Sequence, residues 1–124
     1  MKNLALCCAA GLLLASSAMA GEKKLMHCFA FTVIESATQA DWDAFYKATD
    51  DLPKKIKGVS HVWYGKLSYP LRVGGNTRQY GVCMEMDNAQ VREAYGNDPY
   101  HKVWNATYDK VHVEGTTTFD ILGQ

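Results

Sequence analysis

An α+β domain in the order β-α-β-β-α-β is what this sequence predicts, on three observations. Four runs have the length and residue types of strands, and apolar residues occur on both parities of them. Two stretches between these runs place apolar residues at helical spacing. Gly58, the Tyr69–Asn76 cluster and Gly96-Asn97-Asp98-Pro99 punctuate the chain where one pattern gives way to the next.

The first strand is expected over His27–Ile34 (HCFAFTVI), apolar enough to be buried on both faces. Ser36 or Thr38 can cap the helix that follows. Asp41–Ile56 carries Trp42, Phe45, Tyr46, Ala48, Thr49, Leu52 and Ile56 on one stripe, with a kink or break at Pro53 and a stop at Gly58. Val59–Ser68 reads as a second strand in which Val59, His61, Trp63 and Leu67 share a parity. Tyr69–Asn76, with Pro70, Gly74 and Gly75, reads as a loop. Arg78–Met86 is the third strand, with Tyr80, Val82, Met84 and Met86 opposite Gly81, Cys83 and Glu85. A short helix over Asn88–Tyr95 and a second from Pro99 to about Val111 precede a last strand, Thr116–Leu122. This is the ferredoxin-like order, with helices on one sheet face. The other face carries Phe, Val, Met, Trp and Cys side chains rather than polar ones, which predicts a homodimer with sheet packed on sheet.

The residues before this domain read as an address. Lys2 precedes an apolar run over Leu4–Ala15, and Ser16-Ser17-Ala18-Met19-Ala20 ends in the small-x-small form of a signal-peptidase site. The expectation is a cleaved signal peptide over 1–20, a single domain over 21–124, and export to the periplasm or beyond. The run is too short for a good spanning helix, so no stable membrane insertion is expected after cleavage. The remainder holds 12 basic and 13 acidic residues, since Lys2 leaves with the leader. That balance gives no basic patch for a nucleic acid. Cys28 and Cys83 remain. An oxidising compartment permits their pairing, but their strand-like surroundings favour two buried thiols.

One group is chemically well placed. Asp98 is a good N-cap and Pro99 a good first helical residue, which sets His101 in the first turn of the last helix. The positive end of the helix dipole there disfavours an imidazolium and keeps the ring available as base, hydrogen-bond partner or ligand. His61 and His112 lie on other elements without metal-ligand spacing, so neither metal nor cofactor is expected. Nucleophile, phosphate-loop and dinucleotide motifs are absent.

The stretches quoted above resemble, in order and spacing, the stress-responsive A/B barrel domain, the Dabb family. The landmarks are His27 with its apolar strand, Leu52-Pro53-Lys54-Lys55-Ile56-Lys57-Gly58-Val59, Tyr80–Met86, Tyr95–Val103 and Val113–Ile121. Asp98 stands where the family usually has a histidine before the proline. The resemblance implies a dimeric α/β barrel formed through the sheets. From a polyketide-cyclase branch it implies His101 as general base, Tyr95 as its helper and His27 in the same pocket, between sheet and helices. Phe29, Trp63, Tyr80 and Trp104 are the apolar residues expected to line it. The expected ligand is a small, largely apolar molecule bearing a carbonyl or phenol. The alternatives are a cyclase-like enzyme doing aldol or enolisation chemistry, and a haem-binding or monooxygenase-like barrel with His101 as an axial ligand.

Overall fold

The computed structural model describes residues 22–124; the expected signal peptide lies outside them. Within them the chain forms β1 (Leu25–Val33), α1 (Gln39–Asp50), α2 (Leu52–Lys55), β2 (Val59–Val73), β3 (Asn76–Met86), α3 (Ala89–Tyr95), α4 (Pro99–Tyr108) and β4 (His112–Leu122). The strands make one antiparallel sheet in the order β2-β3-β1-β4.

Local chemistry explains the boundaries. Thr38 starts α1 with a capping box: its Oγ1 accepts from Asp41 N, and its own N–H donates to Asp41 Oδ2 at 2.9 Å. The break expected at Pro53 falls two residues earlier, at Asp51, because Pro53 suits the first turn of a new helix. Asp51 accepts from Lys47 and Lys54, and those two bonds hold its carboxyl down to about 2. Asn88 caps α3 through Val91 N, and Asp98 caps α4 through Tyr100 N at 2.8 Å, as expected.

Three expectations need correction. Tyr69–Asn76 is not a loop: β2 and β3 run on into a long hairpin, pairing through Val73↔Asn76, with Gly74 at positive φ in the turn. The three pairs from Leu71 to Val73 resume after a register shift, which lets Pro70 sit where no ladder bond is needed. The shared parity of Val59 with His61 and Trp63 fails for a related reason. The register shifts between Val59 and His61, so Val59 is buried with Val62 and Tyr64 partly so, while His61 and Trp63 turn to the other face. Finally, Cys28 and Cys83 are not free thiols. They are direct cross-strand partners with Cα atoms 4.1 Å apart, and they form a disulfide. Residue types alone hid this, because the pairing depends on the register of β1 against β3.

The helices cover one sheet face. Phe29, Phe31, Val82, Met84 and Met86 project from it into Phe45, Leu52, Trp104, Tyr108 and Val111, all buried. Thr49 sits inside this core, donating to Phe45 O and accepting from Trp104 Nε1 at 2.9 Å, so the buried indole is satisfied. The opposite face carries Met26, Cys28, Ala30, Trp63, Leu67, Cys83, Phe119 and Ile121 around a shallow apolar depression of about 900 Å³. A Cβ at Gly81 would stand 2.9 Å from Leu67 Cδ2 and would oblige that side chain to shift.

Candidate functional site

Strand alternation delivers His27 to the helix face, one pair along from Phe29 and directly opposite Asp120 of β4. Its Nδ1–H donates to Asp120 Oδ1 at 2.6 Å, and Asp120 also accepts from Arg92 Nε of α3 at 3.0 and 3.2 Å. An ionised carboxylate only accepts, so this bond fixes the proton on Nδ1 and leaves Nε2 as the lone-pair nitrogen. His27 is 6% exposed. Burial lowers its pKa below the usual imidazole value, against the pull of the Asp120 hydrogen bond. Burial pushes Asp120 up, yet the His27 bond and the charges of His27 and Arg92 leave it below the usual carboxylate range. The pair is therefore a neutral imidazole donating to a carboxylate.

Tyr95, the last residue of α3, brings a phenol ring 5.7 Å from the His27 ring and 4.5 Å from that of His101. It is 3% exposed, and its hydroxyl is buried with no hydrogen-bond partner among the described residues. Burial raises its pKa, so the phenol stays protonated. His101, in the first turn of α4, lies flat against Trp104 at 5.9 Å, with Asn105 Nδ2 3.4 Å from its Nδ1. Its pKa is lowered, as the sequence predicts, but the leading cause is burial, followed by the repulsion that a protonated His27 would exert. The structure thus brings together His27, Tyr95 and His101, with Phe29 and Trp104 flanking them, ring centroids 5.5 Å apart.

Two expected lining residues stand elsewhere. Tyr80 joins Trp42 and Phe31 at 5.1 and 5.3 Å, further along β3, where burial raises its pKa. Trp63 is 74% exposed on the opposite sheet face. The bulge near Ser60 decides its direction.

Asp120 and Arg92 were not anticipated. The available signal was positional: an acidic residue alternating with Thr116 and Thr118 on a strand that had to pair with β1. Among the described residues, no group of three or more His, Cys, Asp or Glu side chains is placed to hold a metal ion. The apolar depression and the polar cluster occupy opposite faces. Size alone is a poor guide here: His27, Asp120, Tyr95 and His101 cluster on the helix face.

No protein-family model matches this chain, and no curated protein does. Solved structures do match. A Dabb family protein with a ferredoxin-like fold from Mesorhizobium loti is similar at a TM-score of 0.62 and 16% identity, over 83% of this chain and 99% of that one. The chain folds as a Dabb protein does. A dimeric ferredoxin-like protein of unknown function from Thermobifida fusca shares this Dabb-type fold at a TM-score of 0.62 and 17% identity, covering 82% and 92% of the two chains. Hydroxynitrile lyase from Passiflora edulis shares it at 0.66 and 8% identity, covering 82% and 94%. Identities this low speak for the fold alone.

Proposed function

We propose that this chain is an exported, homodimeric Dabb-type protein that binds a small, largely apolar molecule bearing a carbonyl or phenol, held by Tyr95, His101 and His27. The observation that carries this is the Tyr95 hydroxyl, a buried donor without a partner among the described residues, on a ring that neighbours two neutral imidazoles. A buried polar group left unpaired is costly, and a ligand oxygen at that position satisfies it. Neutral donors and acceptors lined by Phe29 and Trp104 suit an uncharged, polar-tipped ligand. Dimerisation is supported by the apolar second sheet face and by dimeric relatives of the same fold. Export is supported by the apolar leader and by the Cys28–Cys83 disulfide, which persists in oxidising compartments.

The test is histidine NMR titration with and without acetylacetone and simple phenols. Shifts of the His27 and His101 resonances, saturating with ligand, are expected. Resonances that no ligand moves would sink the binding site.

The His27–Asp120 pair favours a second reading, as an enzyme acting on the same ligand class. His101 would take a proton α to the carbonyl, and the Tyr95 O–H would donate to the enolate oxygen that forms. Exchange of α-hydrogens for deuterium, catalysed by wild type and lost in His101→Ala, is the expected outcome. Equal exchange in both proteins would refute catalysis while leaving binding intact.

A further inference from the structure

Arg78, at the far end of the sheet from His27, is 6% exposed. Its Nε donates to Thr117 Oγ1 at 3.3 Å and its Nη1 to Thr32 Oγ1 at 3.1 Å. Thr32 Oγ1 in turn donates to Thr77 O, which leaves its lone pairs facing the guanidinium. Both partners are neutral. Arg92, whose side chain is 32% exposed, has the carboxylate of Asp120, yet no described carboxylate forms an ion pair with the more buried Arg78. A guanidinium has five N–H donors, and two of those on Arg78 are used.

The backbone beside the guanidinium is irregular and carries no side chain at its outer edge. Thr32 sits at the irregularity between Phe31 and Val33, where the β1–β4 ladder changes register. Gly115 of β4 adopts φ 100, and a Cβ there would stand 3.4 Å from Nη2 and 3.9 Å from Nη1. The outer edge of the guanidinium therefore looks across a residue without a side chain. A buried cation held only by two hydroxyls is unfavourable beside an apolar residue of the same volume, unless an anion completes it.

We propose that Arg78 is an oxyanion-binding group: a carboxylate or phosphate docks on its Nη1–Nη2 edge over Gly115. The planar fork of two parallel N–H donors matches two oxygens of such a group. The oxygens can come from a free anion or from a carboxylate of a second copy. Thr117 pairs with Ala30, at the margin of the apolar face that a second copy would cover. The proposal is independent of the helix-face site.

Thermal unfolding of the full protein tests it, at constant pH and ionic strength, with sodium chloride replaced by sodium acetate or sodium phosphate. A free-anion source predicts a saturable rise of about 4 °C or more, absent in Arg78→Met. A second-copy source predicts no anion dependence, a midpoint that climbs with protein concentration, and a dimer dissociation constant raised about 10-fold or more in Arg78→Met. If that variant does not fold, Arg78→Lys keeps the charge, loses the fork and is measured in its place. A wild-type midpoint indifferent to both anions, with variant dimers as tight as wild type, overturns the proposal.

Discussion

His27 and Cys28 are neighbours on one strand, and strand alternation sends them into different worlds. On the helix side, His27 meets Asp120 of β4 in a charged hydrogen bond beneath a shell of aromatic rings. On the other side, Cys28 meets Cys83 of β3 in a covalent bond on an apolar surface with Trp63, Phe119 and Ile121 exposed around it. The helices account for the difference. They desolvate the groups beneath them, so imidazole and phenol pKa values move and hydrogen bonds gain weight. The uncovered face offers area instead of chemistry, and area is what association uses. On the proposed function, one sheet thus presents a chemical side and an associative side.

The largest effect expected from this division is on assembly. Trp63→Asp sets a charge in the middle of the apolar face and should weaken the dimer by about 3 kcal/mol or more. Sedimentation equilibrium reads this directly, and the far-UV spectrum and histidine titrations should stay as in wild type. A variant that remains a tight dimer would break the comparison, because the second face would then not be the associative one.

Next in size is the staple. The disulfide closes a loop with a sequence separation of 55. Cys28→Ala/Cys83→Ala should cost about 2–4 kcal/mol in urea unfolding. Because both residues lie on the associative side, the His27 and His101 titrations should not move. If they do, the two faces are coupled through β1.

These two positions show what the sequence reveals and what it withholds. Element order, the Asp98-Pro99 helix start and the proximity of Tyr95, His101 and His27 were legible, since capping, periodicity and family resemblance are local patterns. Trp63, Asp120 and the disulfide were not, since each depends on register. A single bulge near Ser60 reverses the face of Trp63, and the pairs His27↔Asp120 and Cys28↔Cys83 exist only once β1 is aligned with both neighbours. The extended β2–β3 hairpin was hidden similarly, by Pro70 and two glycines that a long strand with a register shift accommodates.

On the chemical side, Asp120→Asn should cost about 1.5–2 kcal/mol, since Arg92 and His27 lose a charged acceptor at a site that is still partly solvated. The same substitution removes what opposes burial at His27, so the His27 pKa should fall further. The pH dependence follows from the directions of the shifts. His27 and His101 have folded pKa values below the ordinary imidazole value of 6.5. Their neutral forms are favoured in the fold, so stability is full above 6.5 and declines as pH falls below it, where the unfolded chain takes protons first. The decline is at most about 1.4 kcal/mol per pH unit for each histidine. Asp120 adds a second loss below the ordinary carboxylate value of 3.8, because its folded pKa is also depressed. Urea unfolding between pH 7 and 5 should show the first decline in wild type and less of it in His27→Gln. An unchanged slope in His27→Gln would place the proton uptake elsewhere.

The smallest effect separates binding from stability most sharply. Tyr95→Phe removes only a hydroxyl that is buried without a partner among the described residues. A side chain serving the fold alone would lose stability on such a deletion or keep it unchanged. Tyr95 should instead gain about 1 kcal/mol on conversion to Phe, since an unsatisfied polar group is exchanged for an apolar one of the same shape. The same change should weaken a carbonyl or phenol ligand about 10-fold, the worth of one lost hydrogen bond. Gain in unfolding midpoint with loss of affinity is the signature of a group held unsatisfied for a ligand. A drop in stability would mean that the hydroxyl already has a partner, and the chemical side of the sheet would lose its reason for being dry.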